Sequence, residues 1–421
     1  MTNVPALGEV PSHWTVERAK WLLNRQRRDV RTEDGIVTAF RDGQVTLREN
    51  RRTDGFTNAI HEIGYQGIRK GDLVVHGMDG FAGAIGVSDA DGKASPVVHT
   101  YIAHQNVDVR YVAYTLRSMA LSGYVTTLAK GIRERSTAFD AATLANVQLP
   151  VPSLTEQRRI ADFLDAETAR FDQLAAAMRS QDDLLKDRRL RLLDSVRGTD
   201  QDGAPLARLG YFSSLITSGS RGWSEYVSDT GELFFRSANL YSDRIQPKLA
   251  NAAYVQLPQS EAAESQRARI QVGDCLVGIT GANAGWVCLA DTSVAHGYVS
   301  QHVCLVRPEP HRIDGHWLAL LIASPYVQGE LMGSQYGGTK TQLSLPDVRA
   351  IRVPVLPVSR QVQLAQSVNR QTELVDRQRA LRQQQLTLLA ERRQALIAAA
   401  VTGQFDVSTA SGRNVTEGVS A

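Results

Sequence analysis

Apolar side chains recur along two long stretches of this chain at spacings that alternate between four and three. In the first stretch, running on from Ile160, the positions are Leu164, Glu167, Phe171, Leu174, Met178, Gln181, Leu185, Arg188, Leu192 and Ser195. In the second they are Leu364, Val368, Gln371, Val375, Gln378, Arg382, Gln385, Leu389, Arg392, Leu396 and Ala399. This rhythm is the heptad of a coiled-coil seam and predicts two long helices. Pro152 and Pro357 precede them, Thr155 and Ser359 are the expected N-caps, and Gly198 and Gly403 the expected stops. At about 1.5 Å per residue, each helix is roughly 60–65 Å long. With so many polar seam positions neither is expected to stand alone. The pair should bury Leu164, Phe171, Leu174, Leu185 and Leu192 of the first helix against Val368, Val375, Leu389 and Leu396 of the second.

The two stretches also repeat one another at an offset of 204 residues. Leu149-Pro150-Val151, Thr155-Glu156-Gln157 and Ile160-Ala161 return as Val353-Pro354-Val355, Ser359-Arg360-Gln361 and Leu364-Ala365. A fainter echo upstream, at 202, matches Gly71-Asp72, Val75 and Ala82-Gly83 to Gly273-Asp274, Val277 and Ala284-Gly285. The order is therefore globule, helix, globule, helix. A helix that leaves the second globule and pairs with one that arrives there must run antiparallel to it, which implies a pseudo-twofold internal repeat and a dumbbell with inverted heads.

Within the first globule, Val37-Thr38-Ala39-Phe40 and Val45-Thr46-Leu47-Arg48 flank Asp42-Gly43, a signal for a two-residue hairpin. The loop after it concentrates side chains that reach phosphates and base edges: Arg48, Asn50, Arg51, Arg52, Thr57 and Asn58, beside Phe56. Arg41, Arg133 and Arg135 belong to the same candidate set. Gly71-Asp72 reads as a turn into a buried strand, Leu73-Val74-Val75. The second globule keeps the scaffold and changes the tips. Its candidates are Arg221 and Trp223 in a small-residue loop, Arg236, Asn239 and Tyr241 after a Phe-Phe strand, Asn283, and Lys340 in a glycine-rich turn.

Composition adds little to this and removes several options. A hydrophobic fraction of 43% and a charged fraction of 22% over 421 residues describe a soluble chain able to build two or three cores. A net charge of +3 is too mild by itself to argue for a polyanionic partner. Its positive charge is nearly all arginine, suited to bidentate phosphate and guanine contacts, although GC-rich coding produces the same bias. Cys275, Cys288 and Cys304 lie in apolar runs without C-x-x-C spacing and read as reduced core residues. Met1 to Trp14 shows no secretory pattern and no apolar run is long enough to span a membrane, so a cytoplasmic protein is expected.

Catalytic constellations are missing where they would be expected. The segment Gly333 to Thr341 is one residue out of step with a phosphate-binding P-loop and precedes a Leu-Ser-Leu-Pro turn. His61-Glu62 lacks the second histidine of a zinc protease motif, and no Asn/Asp-Pro-Pro-aromatic tetrapeptide of an amino-methyltransferase is present. The nine histidines are scattered.

The chain resembles the specificity subunit of type I restriction-modification systems. The likeness rests on Gly8-Glu-Val-Pro-Ser-His-Trp14, Phe40-Arg-Asp-Gly-Gln-Val-Thr-Leu-Arg48, Tyr65-Gln-Gly-Ile-Arg-Lys-Gly-Asp-Leu-Val74 and, most specifically, Leu149-Pro-Val-Pro-Ser-Leu-Thr-Glu-Gln-Arg-Arg-Ile-Ala-Asp-Phe-Leu164. It implies an α/β (α+β) fold in which two target-recognition globules with small twisted β-sheets are joined by two long antiparallel coiled-coil helices. The expected segments are target recognition domains at 1–152 and 203–355, spacer helices at 153–199 and 356–405, and a flexible tail at 406–421. Each globule would bind half of a bipartite site in double-stranded DNA, with unread base pairs between. The helices would dock two modification (methyltransferase) subunits through Glu156, Gln157, Arg158 and Gln361, and restriction subunits would join them. The second repeat has Ser359-Arg360-Gln361 where the first has Thr155-Glu156-Gln157, so its contact departs from the first. No cofactor or metal is expected on this chain, since S-adenosylmethionine, ATP and Mg2+ would belong to the partners. A coiled-coil scaffold or DNA-binding module without a restriction role, and a stand-alone methyltransferase or nuclease, are the alternative readings.

Overall fold

The computed structural model describes residues 2–51, 63–128, 139–198, 203–333 and 342–408. The chain divides into two compact units, one formed by Met1–Met178 with Gln384–Ala421, the other by Arg179–Gln383. Each long helix gives one half to each unit, whereas the segments read in chain order keep each helix whole. Among the described residues no helix is long and apolar enough to cross a membrane.

In the first unit Gly71, at φ +91°, turns the chain into the strand Leu73–His76. Alternation along this strand sets the layers, because Leu73 and Val75 enter one core and Val74 the opposite one. The strand lies inside an antiparallel sheet ordered Leu23–Gln26, Val98–Ala103, Leu73–His76, Ile85–Val87. The helix Val109–Leu121, capped by the Asp108 carboxylate, packs Tyr111, Leu116 and Met119 into one core. A hairpin of Val37–Ala39 and Val45–Leu47 supplies Val37, Ala39 and Val45 to the other. Its loop is Arg41–Gly43, three residues and not two: Phe40 N donates to Gln44 O and Gly43 takes φ +92°. A type I turn followed by a left-handed glycine closes such a loop, so Gly43 occupies the position after the turn.

The second unit solves the same problem with the same strand. Gly273, at φ +90°, leads into Cys275–Gly278, with Cys275 and Val277 in one core and Leu276 in the other. The sheet order is Ser213–Ser218, Val303–Pro308, Cys275–Gly278, Val287–Leu289, again antiparallel. Helix Gly315–Ile322 covers one face. A second, mixed sheet of Val227–Ser228, Ala253–Val255, Glu232–Phe235 and Tyr298–Val299 has its core against the other.

Short strand pairs, Thr15–Arg18 with Gln148–Val151 and Leu206–Arg208 with Arg352–Pro354, lead into the long helices Leu154–Asp194 and Val358–Val401. The first helix starts before Thr155, and its cap is Ser153, whose Oγ accepts from Glu156 N at 3.3 Å. Ser359 likewise lies inside the second helix. Gly198 and Gly403, both at positive φ, follow the ends as expected.

Within each unit the helix halves run antiparallel. In the first, Ile160, Ala161 and Leu164 share a core with Ile397, Ala400 and Val401, and Phe171 meets Leu396. In the second, Arg379 Nε donates to Asp182 at 3.0 Å and Arg189 Nε to Asp376 at 2.9 Å, while Leu193 shares a core with Ala365 and Val368. The period is seven as expected, yet one half of the seam is displaced by one residue. Thr168, Ala175, Asp182 and Arg189 turn inward, and not Leu174, Gln181 and Arg188. Leu174 is 50% exposed, and Leu185, Leu192 and Leu389 are half-buried, whereas Leu164, Phe171, Val368, Val375 and Leu396 are buried. The polar inward positions are satisfied locally: Thr168 Oγ1 donates to Leu164 O at 2.7 Å, and its repeat partner Thr372 to Val368 O at 3.0 Å. Arg189 buries its stem and pairs its head across the seam.

Candidate nucleic-acid interface

Two bonds locate equivalent surfaces in the two units. Phe139 N donates to Gly77 O at 2.7 Å, just past the end of the strand Leu73–His76. Leu343 N donates to Ile279 O at 2.8 Å, just past the end of Cys275–Gly278. Each donor is the second or first described residue after a segment that carries basic candidates, 129–138 in one unit and 334–341 in the other. Arg133, Arg135 and Lys340 lie in those segments, outside the described residues; Arg52, Thr57 and Asn58, at 52–62, are also outside them.

In the first unit the surface beside this bond is basic. Arg25 sits on the edge strand opposite Tyr101, and its Nη2 donates to His99 Nδ1 at 3.0 Å. A guanidinium only donates, so the His99 ring must carry its proton on Nε2. His76, at the strand end, accepts from Asp79 N on its own Nδ1 at 3.0 Å, and Arg41 holds the Asp79 carboxylate at 2.8 Å. Burial lowers the pKa of both rings, with Arg41 opposing the Asp79 charge at His76, and Arg25 and Arg27 adding to the depression at His99. Burial also pushes the Tyr101 phenol up to about 12, and among the described residues its hydroxyl has no partner. The backbone passes so close that a Cβ on residue 77 would stand 2.8 Å from Val97 O and 3.3 Å from His99 Nε2, which only glycine avoids.

The second unit presents an amide, an imidazole and a hydroxyl at the equivalent place. Gln301 Nε2 lies 3.0 Å from His302 Nε2, and His302 Nδ1 lies 2.9 Å from Thr280 Oγ1. With the amide donating, the ring proton sits on Nδ1 and Thr280 accepts it. Thr280 also bridges Gln342, and exposed Arg221 follows the edge strand Ser213–Ser218. Gly219 is required there, since a Cβ would fall 1.9 Å from Val299 O.

Other candidates are distributed unevenly. Arg48 Nε donates to Thr38 Oγ1 at 3.2 Å and Asn50 to Thr46 Oγ1 at 2.9 Å, both on the hairpin. Arg51 stacks on Phe40, 4.2 Å from the ring centre, and reaches Asp42 at 2.7 Å. Arg236 donates to Asn251 O at 3.1 Å and Asn283 to Ser237 O at 2.8 Å. Tyr241, faced by Arg244 at 4.8 Å, borders a cavity of about 560 Å³ with Trp286 and the helix residues Arg189 and Asp376. Two candidates are interior. Trp223 is 1% exposed and donates to Glu261, and Asn239, also 1% exposed, accepts from Arg236 N and donates to Lys248 O. Residue type alone could not reveal these internal partners.

The docking candidates divide in the same way. Gln157 and Gln361 are 1% and 2% exposed. Gln157 accepts from Asp108 N at 2.9 Å and donates to Pro152 O; Gln361 accepts from Asp314 N at 2.7 Å and donates to Leu356 O and Arg312 O. Both amides tie the cap of a covering helix to the first turn of a long one. Glu156 accepts from Trp14 Nε1 at 3.0 Å, and Arg158 is exposed. His76, His99, Gln301 and His302 escaped the sequence reading, because only strand register brings His76 and His99 together.

These sheets and long helices define the fold of type I restriction-modification S subunits. A chain from a structure describing complex assembly and conformational transition of the type I R-M system matches at TM-score 0.73 and 18% identity, covering 94% of this chain and 100% of that one. The crystal structure of the HsdS subunit from Thermoanaerobacter tengcongensis matches at TM-score 0.53 and 18% identity, over 96% and 100% of the two chains. No family model matches the sequence, and no curated protein does.

Proposed function

We propose that this chain is the DNA-recognition subunit of a type I restriction-modification complex, each unit reading one half of a bipartite target. The observation that carries the reading is the pair of equivalent bonds, Phe139 to Gly77 and Leu343 to Ile279, which hold the same backbone in both units beneath unlike side chains. Arg25, Arg41, His76 and His99 surround one; Thr280, Gln301 and His302 surround the other. A shared scaffold with different tips is what two readers of different sequences need, phosphate contacts setting position and a few side chains selecting bases. The likeness in fold to S subunits supports the assignment. Methyl transfer to adenine and ATP-driven cleavage fall to modification and restriction subunits, with their S-adenosylmethionine, ATP and Mg2+, and this chain turns over nothing.

Methylome sequencing of a host expressing the chain with its modification subunit tests this. A bipartite motif that depends on the chain is expected. Arg41→Ala should relax one half-site only and Thr280→Ala with Gln301→Ala the other. Methylation independent of the chain, or both halves changing together in each variant, overturns the reading.

A further inference from the structure

The bond from Arg25 to His99 is an unequal partnership. An exposed guanidinium spends a donor on a neutral imidazole nitrogen, a far weaker acceptor than an anionic oxygen. Among the described residues neither Arg25 nor Arg27 has a carboxylate partner. The nearby carboxylates are engaged: Asp79 is held by Arg41, and Asp140 accepts from Thr143 N at 2.7 Å as the cap of a short helix. We propose that Arg25 and His99 together seat a backbone phosphate of DNA, the phosphate taking over the Arg25 donors while the freed His99 Nδ1 takes up a proton from solvent. The inference rests on the DNA-binding reading and adds to it a phosphate-binding pair and a linkage to protons.

The groups facing His99 set the sign. Arg25 from the edge strand, Arg27 just past it and His76 from the neighbouring strand disfavour its charged form, Asp140 favours it, and burial disfavours it most. His76 in turn faces Asp79 and Arg41. Without an anion the ring is neutral at pH 7; a phosphate beside it reverses the balance. Among the described residues the second unit has no counterpart, since His302 Nδ1 is committed to Thr280 and its Nε2 to Gln301.

The test is the affinity of the full-length chain for a labelled mixed-sequence duplex, measured at constant ionic strength at pH 8 and pH 6. Tighter binding at the lower pH is expected, by a factor of about two to six if the phosphate raises the ring by one unit, because the full tenfold is reached only well below the depressed pKa of the free ring. His99→Gln keeps an acceptor for Arg25 but cannot protonate, and should abolish the pH dependence; His311→Gln, an exposed ring outside the patch, should retain it. Should His99→Gln melt abnormally, Arg25→Gln is the second variant, expected to lose both the pH dependence and about one unit of salt slope. Replacing chloride by inorganic phosphate should leave the pH dependence intact, and its disappearance there would assign the site to free phosphate and overturn the proposal. Binding that ignores pH, or pH dependence that survives His99→Gln, overturns it while leaving DNA recognition standing. No duplex binding at either pH overturns both.

Discussion

Arg189 Nε donates to Asp376 Oδ1 at 2.9 Å, and the residues 204 positions away from each, Arg393 and Asp172, form the matching pair at 3.7 Å in the other unit. The two pairs are not equal in energy. The Arg189 side chain is 10% exposed, so removing its charge while leaving its stem, as in Arg189→Met, should cost about 1–2 kcal/mol, limited because Asp376 is itself 43% exposed. Arg393 stands beside Arg117, a buried guanidinium pulled down to about 10 by its burial and by the Arg393 charge. Asp172 is 69% exposed and compensates poorly. Arg393→Met should therefore be neutral or mildly stabilising. Urea melts of the two variants give the order directly.

The displaced half of the seam yields a second comparison. Leu174→Asp should cost less than about 1 kcal/mol, because its side chain is half exposed and the charge stays in water. Phe171→Ala, three residues away on the buried edge, should cost about 3 kcal/mol from lost contact with Leu396. Thermal melts showing the reverse order would restore the seam read from apolarity alone.

What could be read from the chain, and what could not, follows from the range of the forces involved. Gly71-Asp72 and Gly273-Asp274 announce a turn into a buried strand because that turn is local. The partners of the two buried aspartates do not repeat: Asp72 is met by Arg28, two residues past the edge strand, Asp274 by Arg307 from a central one. Nothing local distinguishes those arginines from the exposed ones. The heptad period was legible, since seven-residue spacing survives any choice of face. Its exact face was not, because Thr168 and Arg189 are polar and yet turn inward.

Stability at low pH should report the two histidines of the first unit. Burial depresses His76 and His99 below 6.5, so the unfolded chain takes up protons first as pH falls. Their contribution is fully present above about pH 6.5 and is lost as the pH drops from there through the folded pKa. Melting temperatures between pH 7.5 and pH 5 should fall, and the double variant His76→Gln, His99→Gln should flatten that decline. An unchanged decline would place the titrating groups elsewhere.

Thiol chemistry offers a check on the second core. Cys275, Cys288 and Cys304 are free and buried, and burial raises each thiol, Cys304 to about 12. None should react with a thiolate-selective reagent at pH 8 while the chain is folded, and all should react in denaturant. Fast labelling of one thiol in the native chain would mean that the strands Cys275–Gly278, Val287–Leu289 or Val303–Pro308 open locally.

Gln157 and Gln361 discriminate between two roles for the same repeated residue. If their amides serve the interior, Gln157→Ala leaves Asp108 N and Pro152 O without partners and should cost about 1–3 kcal/mol, with Gln361→Ala doing the same at Asp314 N and Leu356 O. Hydrogen exchange should quicken at Asp108 and at the start of the helix Val109–Leu121, which that residue caps. Arg158→Ala, one residue along and exposed, should melt like the native chain. Affinity for a modification subunit, measured on the folded fraction, should then be unaltered in Gln157→Ala. A variant that melts normally but no longer binds that subunit would show instead that Gln157 turns outward in the complex, and that the bonds to Asp108 and Pro152 are exchanged for bonds to the partner.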